Sequence, residues 1–517
     1  MKVFKSIMTF SVLSLFLLSS CTDAILDKIN ENPNNLLDAQ SRFIMPELIT
    51  STGFSVTGGD FSLYASIYVE HEAGIHNQMW YAETRGGEPT SATTYNNVWG
   101  AVWENVKNAK IVIKKCSPDG SEEGNNVTLG AAQIMLAYNM AMATDLFGDV
   151  PYTEAGEIDE ATGSPVSMQP KVDKQEDIYK DIFRLLDEAI VNLDKGDLIA
   201  GMGTRDFAYQ GNAARWKQLA YGLKARYTMR LMKRSSNVNT DMNNVLDYVS
   251  KSFKNAADEF KLDIYDGDAN LNPLLAFSYS REALAASQSL VDKLAERDDP
   301  RLYQGFMDIC VWGDQIEDPD DIDAAPNGNP AQLQGRYSAS IFTSSITAPT
   351  LMMSYHELKF LEAEALCRLN RKADAETALK SALTAAFASQ QRAIASAVYE
   401  WIGGGVADLG TSVADAYFTG SVKPLFDANP LKETMMQKYL AFWGAGGESI
   451  EAYNDYRRLR SLGENHVTLA NPNNASKFPL RYTYGNSDVV ANMNIKPLYG
   501  DGFYVYTENV WWAGGTR

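Results

Sequence analysis

The sequence predicts a mainly α-helical scaffold of tetratricopeptide-like character carrying long irregular loops. Three observations predict it. Apolar residues recur with a 3.6-residue period in several stretches. Two stretches, 351–369 and 373–387, are joined only by Asn370-Arg371-Lys372, a link short enough to force antiparallel neighbours. Between the periodic stretches lie the segments 51–98, 254–282, 300–350 and 464–517, rich in Gly, Asn, Ser, Pro and aromatics. Loops that long are uncommon unless they carry function.

In chain order, residues 1–20 read as a secretory signal peptide. Lys2 and Lys5 precede the uncharged stretch 7–18, which is too short for a permanent membrane span, and Leu18-Ser19-Ser20-Cys21 has the form of a bacterial lipobox. Such a leader is removed before the cysteine, and Cys21 then carries the lipid. Residues 21–40 form a polar tether, and 41–517 one domain. In 99–115 the apolar stripe is Trp99, Val102, Trp103, Val106, Ala109 and Val112. Residues 127–144 carry no charge, but Gln133, Asn139 and many alanines make them a buried soluble helix. The stripe Ile178, Ile182, Leu185, Leu186, Ala189, Ile190 and Leu193 follows Asp173 and Glu176, spaced as a capping box. Trp216, Leu219, Ala220, Leu223, Tyr227 and Leu231 mark another helix, ending in basic residues that suit a C-terminus. Ala363, Ala365, Ala375, Ala378 and Ala382 occupy the contact face of the linked pair, and further helices fall at 431–443 and 447–462.

Charge and cysteine content narrow the function. The chain has 517 residues, 65 acidic against 46 basic, for a net charge of −19; loss of the leader's two lysines makes it −21. That excess argues against nucleic acid and other polyanionic cargo, whose affinity comes from Lys and Arg neutralising phosphates. Besides Cys21 there are Cys116, Cys310 and Cys367, too few for a disulfide framework and expected to be buried thiols.

Catalytic and metal motifs fail on spacing. His71-Glu72 and His76 stand five apart, so they do not share a helix face as the zinc-protease histidines do. His356 and His466 have no local nucleophile, and neither G-x-S-x-G nor a phosphate-binding glycine loop occurs. A glycosidase needs two carboxylates at a set separation, which composition neither supplies nor forbids. The acidic run Asp314, Glu317, Asp318, Asp320, Asp321 and Asp323 offers oxygen ligands for calcium but lacks EF-hand spacing, and reads first as a solvated loop. The expectation is no enzyme, no metal site and no cofactor, calcium being the alternative.

The motifs together resemble the SusD/RagB family of nutrient-binding outer-membrane lipoproteins, its second large branch in particular. The resemblance rests on the lipobox, Ile29-Asn30-Glu31-Asn32-Pro33-Asn34, and the run from Ala143 to Tyr152 (ATDLFGDVPY). It continues in the Trp-led helix from Trp216 to Arg230, in Asp299-Pro300-Arg301, and in Tyr355 to Glu364. The block from Glu451 to Arg458 with Gln437-Lys438, the segment Phe478 to Tyr482, and Trp511-Trp512 complete it. Tyr221 and Gly485 depart from the pattern, where Asn and Pro are more usual. The resemblance implies a helical fold with four tetratricopeptide-like units, few short strands and a loop-rich ligand face. It also implies a non-enzymatic protein lipid-anchored at the cell surface, which binds a glycan or peptide and serves as hinged lid to a SusC-like TonB-dependent transporter.

Sugars present flat apolar faces ringed by hydroxyls, so a binder needs aromatic platforms beside polar donors and acceptors. Asn77, Gln78, Trp80, Tyr81, Arg85, Tyr95 and Asn96 supply that mixture, and Tyr265, Tyr279, Arg281, Trp312 and Tyr337 form a second candidate cluster. Trp99 and Trp103 lie on a helical stripe and read as core. Trp80 and Tyr81, in a glycine-bounded segment, are either platforms or packing. A peptide ligand, a surface glycosidase and a tetratricopeptide adaptor are the competing readings.

Overall fold

The periodic stretches fold as helices packed in chain order. The computed structural model describes residues 39–159, 162–309, 313–397, 407–444 and 446–517. The leader, Cys21, the tether to residue 38, Cys310 and Trp312 fall outside the described residues. After α1 (Ser41–Ser51), α2 (Asp60–Tyr68) and α3 (Asn77–Thr84) come the longer α4 (Asn96–Cys116), α5 (Asn126–Phe147), α6 (Gln175–Lys195), α7 (Ala213–Arg230) and α8 (Val238–Lys251). An excursion holds α9 (Pro273–Arg281) and α10 (Gln288–Ala295). The scaffold resumes with α11 (Tyr355–Arg368), α12 (Lys372–Ala395), α13 (Thr411–Tyr417), α14 (Lys423–Ala428), α15 (Pro430–Ala441) and α16 (Glu448–Leu462). Each of α4 to α8 packs on the next, α8 packs on α11, and α11 on α12 and α15. Among the described residues helix makes up 59% and strand 6%, so the fold is mainly α, as the periodicity predicts.

α5 is the centre. Every residue from Val127 to Phe147 is buried, because α4, α6 and α7 cover it. Among the described residues no helix is long and apolar enough to cross a membrane. The small residues Ala363, Ala365, Ala375, Ala378 and Ala382 are all buried, as expected of a close α11–α12 contact. Cys116 is a buried free thiol and Cys367 a half-buried one.

The strands are short: β1 (Glu72–Gly74), β2 (Val150–Pro151), β3 (Val172–Asp173), β4 (Phe260–Leu262), β5 (Leu284–Ala286), β6 (Phe306–Met307), β7 (Ala339–Ser340) and β8 (Thr350–Met353). They pair antiparallel as β1–β5, β2–β3, β4–β8 and β6–β7. The β4–β8 pair closes the base of the excursion that carries α9 and α10. Leu351 therefore belongs to a strand, and the helix predicted from 351 starts at Tyr355, where the Ser354 hydroxyl accepts from Glu357 N.

Two further expectations are corrected. Segment 51–98 is not an irregular loop: it contains a π-helical turn at Thr52–Thr57, then α2 and α3. α2 is buried on every side from Phe61 to Tyr68, so it shows no polar face and no periodicity. Asp173 does not cap α6 either. Its carboxylate accepts from Tyr152 N at 3.0 Å and Thr153 N at 2.8 Å, and α6 is capped instead by Asp149, which accepts from Gln175 N at 2.8 Å.

This gives the run from Ala143 to Tyr152 its physical role. Asp145 is buried, accepts from the Tyr179 hydroxyl and lies 3.2 Å from Arg230. Gly148 has φ +83°, and a Cβ there would collide with the Arg481 guanidinium, which donates to the Phe147 carbonyl. The C-terminal segment folds back on this corner: Tyr482 N donates to Leu146 O, and Trp512 is buried beside Arg230 and Arg457. Asp299 and Arg301 form a fully buried ion pair, with Arg301 Nε 2.8 Å from the Asp299 carboxylate.

Candidate functional site

The first candidate cluster is carried by a helix held down on a strand. The chain leaves α2 through Glu70, which has φ +63°, enters β1, and turns into α3 at Asn77, φ +46°. Gly74 is where α3 comes back over β1; a Cβ there would collide with the Met79 carbonyl. α3 buries Met79, Ala82 and Glu83 and turns Asn77 and Tyr81 to solvent, with Gln78 and Trp80 half-buried. The Trp80 indole N–H is committed: it donates to Pro330 O at 3.1 Å. Its ring meets Tyr81 edge-on at 4.9 Å, and Tyr81 is 45% exposed.

Residues 326–337 join this helix to part of the second cluster. Gln332 Nε2 closes the loop on Pro326 O at 2.7 Å, and Gln334 Nε2 donates to Arg281 O at 3.1 Å. Arg281 ends α9, which exposes Tyr279, and Ile75 N donates to Ala283 O just beyond it. Asn77, Gln78, Trp80 and Tyr81 are thus linked through one loop to Tyr279 and Arg281. Leu333, 57% exposed on that loop, was invisible as a candidate in the sequence.

Most of the other predicted residues are committed to packing or to hydrogen bonds within the fold. Tyr95 is buried, stacked on Tyr482 at 4.1 Å with its hydroxyl 2.7 Å from that of Tyr68. Tyr265 is buried with its hydroxyl 2.7 Å from the Thr350 hydroxyl. Tyr337 packs with Ala73, Ile75, Ala285 and Ala325 under the β1–β5 pair. Arg85 is buried at the end of α3 with φ +56°; it donates to Asn474 Oδ1 at 2.8 Å and lies over the Tyr68 ring. Asn96 accepts from Ser487 N, away from α3. Trp312 lies outside the described residues. Trp99 is core, as its helical stripe predicts.

Sequence reasoning missed what holds the platform in place. Glu83, fully buried beneath α3, accepts from Gly328 N at 2.6 Å and Asn471 Nδ2 at 3.1 Å through one oxygen, and from Gly74 N at 3.2 Å through the other. Burial pushes its carboxyl up to about 7, against the opposing pull of Arg85. Glu70, also buried, accepts from Ala470 N at 2.6 Å, Asn471 N at 2.8 Å and Asn474 Nδ2 at 3.2 Å. Two carboxylates therefore clasp residues 328 and 470–474 to the α2–α3 corner. Glutamates beside hydrophobic residues carry no local signal of such distant partners.

His71 is spent on the scaffold. Its Nε2–H donates to Tyr439 O at 2.9 Å, and burial pushes the imidazole down to about 3. The acids Asp314, Glu317, Asp318, Asp320, Asp321 and Asp323 are all exposed, and Asp318 accepts from Asp320 N. A groove of about 500 Å³ runs between α8, α11 and α12, lined by Phe253, Tyr355, Lys359 and Arg371 among others, and includes no residue of α3.

Comparison with known proteins places this architecture. Residues 60–485 match a family model described as SusD-like, starch-binding and associating with the outer membrane. A SusD/RagB family protein from Bacteroides thetaiotaomicron has a crystal structure 48% identical in sequence, with a TM-score of 0.86, covering 93% of this chain and 100% of its own. A chitin-binding SusD homolog from Flavobacterium johnsoniae is 20% identical, with a TM-score of 0.65 over 92% of this chain and 98% of its own. A Bacteroides vulgatus protein, described in terms of the outer membrane and nutrient binding, is 19% identical, with a TM-score of 0.67 over 92% and 100%. No curated protein matches.

Proposed function

The chain belongs to the SusD/RagB family of binding proteins, and from that premise we propose that it captures an oligosaccharide at the cell surface and passes it to a TonB-dependent transporter that it caps. In this reading Cys21 carries a lipid that holds the chain at the outer membrane. The observation that carries the ligand assignment is the α3 platform. Trp80 and Tyr81 stand beside Asn77 and Gln78, joined through residues 326–337 to Tyr279 and Arg281. The Trp80 N–H is already bonded, so the ring offers a sugar its apolar face, while Asn and Gln amides and the Arg281 guanidinium serve hydroxyls.

Two structural relatives are described as chitin-binding, so chito-oligosaccharides head the panel, followed by starch fragments and peptides. Calorimetry should give heat with a glycan and none with peptides. Trp80→Ala should weaken glycan binding roughly tenfold, the scale of a lost aromatic contact of about 1.4 kcal/mol. Binding confined to peptides, or Trp80→Ala binding unchanged, would overturn the glycan platform. Sustained release of reducing ends by purified protein would overturn the non-enzymatic reading.

A further inference from the structure

A second surface carries chemistry that ligand capture leaves unused. It surrounds Phe43, two residues after Ser41 opens α1. The Phe43 ring is 52% exposed, yet two guanidinium groups, Arg42 and Arg205, each lie 5.1 Å from its centroid. Among the described residues neither arginine has a carboxylate partner. Arg205 comes from the 3₁₀ turn Gly203–Arg205, which packs on α1. The neighbouring segments add Leu198, 80% exposed, and Phe207, 49% exposed. Leu198 N donates to Gly124 O, and the same corner holds Ser41, whose N–H donates to Glu122.

The acids of this corner are mostly occupied. Glu122 accepts from Ser41 N and lies 3.7 Å from Lys115; Asp197 accepts from Val127 N at 2.6 Å; Glu123 accepts from Asp119 N. Glu47, exposed one helical turn beyond Phe43, is the one acid of α1. Exposed aromatic and aliphatic side chains next to guanidiniums that have no carboxylate partner among the described residues match an interface where acyl chains meet phosphates. Phosphate also suits the planar guanidinium fork.

We propose that the Phe43 corner is a membrane-contact patch that seats on an anionic, phosphate-bearing lipid surface. The proposal rests on the reading that Cys21 is the anchor. Nineteen residues, 22–40, separate Cys21 from Ser41, and an extended chain of that length reaches at most about 70 Å. The chain from the anchor thus enters the fold at this patch. The anchor holds the chain near the surface, and the patch seats this corner of the fold against it. The overall negative charge does not forbid the contact, because at physiological salt charges act over about 8 Å and the patch is felt before the rest of the surface.

The test uses residues 22–517, which carry no lipid and include every described residue, with vesicles of phosphatidylcholine alone or with one part in three phosphatidylglycerol. The chain should float with the anionic vesicles and lose this in high salt. Arg42→Glu with Arg205→Glu should weaken flotation at least roughly tenfold, at about 1 kcal/mol per basic residue near the surface. Phe43→Ser should weaken it with salt dependence intact, and Glu47→Gln should strengthen it. Val490→Ser, at another exposed apolar site, should change nothing. Equal flotation of wild type and the double variant, or no preference for anionic vesicles, would overturn the proposal. Mass spectrometry of the full chain from a lipoprotein-processing host reads Cys21 acylation separately, so failure of the anchor and failure of the patch are distinguishable.

Discussion

The clasp beneath α3 makes a pH prediction whose size follows from its geometry. In Glu83→Gln one oxygen keeps its N–H donors and the other becomes an NH₂ facing an N–H. At least one buried backbone donor, Gly328 N or Gly74 N, is then unpaired, at a cost of about 1–3 kcal/mol. Against this, the variant no longer buries a charge. The wild-type carboxyl is raised by burial from an ordinary 4.5 to about 7. Between those values the folded state binds more protons than the unfolded one, so this group lowers stability as pH rises from 4.5 to 7, by about 3 kcal/mol in all, and changes nothing above. Glu83→Gln removes that slope. It should therefore be clearly less stable than wild type at pH 4.5 and equal or more stable at pH 8. Urea unfolding of both proteins across this range gives the difference directly, and groups common to both cancel. Amide exchange at Gly328 should follow the same course locally. A stability difference constant to within about 1 kcal/mol from pH 4.5 to 8 would refute the reasoning: Glu83 would then be ionised throughout, held by Arg85 more strongly than burial opposes it.

Other positions give simpler expectations. Gly148→Ala should destabilise by about 2–4 kcal/mol in urea unfolding, since it adds both a positive-φ penalty and a collision with the Arg481 guanidinium. Arg301→Met should cost about 3–5 kcal/mol because it leaves Asp299 buried without its partner, and Arg301→Met with Asp299→Leu should recover most of the loss. Asp149→Ala should cost about 1 kcal/mol by uncapping α6. His356 is buried, which works to lower its pKa, but Glu448 at 2.7 Å, with Glu259 and Glu357, outweighs burial and raises it. Its contribution to stability should be complete below pH 6.5 and fade as pH rises through the raised value; His356→Gln should lose that dependence, and an NMR titration of the ring reads it directly.

The sequence made visible those helices that have two different faces. α4 and α6 each bury one stripe, so the 3.6-residue period survives in the residues, and the α11–α12 pair adds alanines at its contact. α2 was missed for the opposite reason: wrapped on all sides, it has no polar face to set a period. β8 was absorbed into α11 because Thr350–Met353 is apolar enough to continue a helical stripe, and only its pairing with β4 across the excursion distinguishes it. At the candidate site, composition could not sort the aromatics by their surroundings. Tyr81 and Tyr95 look alike in sequence, yet one is exposed and the other stacks on Tyr482, 387 residues along the chain. Glu83 finds Gly328 245 residues away and Asn471 388 away, and no local pattern encodes such pairs.

That long-range clasp bears on how binding works. The platform is assembled from three distant segments, 72–85, 326–337 and 470–474, and closing them on one another costs chain entropy. The hydrogen bonds that Glu70 and Glu83 accept hold these segments together, so in the proposed reading a ligand meeting Trp80 does not have to order the loop beneath it. If so, loosening the clasp should weaken binding without removing any ligand contact. Glu70→Gln keeps the length of the side chain but gives up acceptor capacity for Ala470 N, Asn471 N and Asn474 Nδ2. It should lower glycan affinity several-fold, with a more unfavourable binding entropy and faster amide exchange at 470–474, whereas Trp80→Ala should lower affinity with exchange there unchanged. Calorimetry and exchange on the two variants separate a residue that touches the sugar from one that holds the surface ready for it; the same entropy of binding for Glu70→Gln and wild type would show that the clasp serves stability alone.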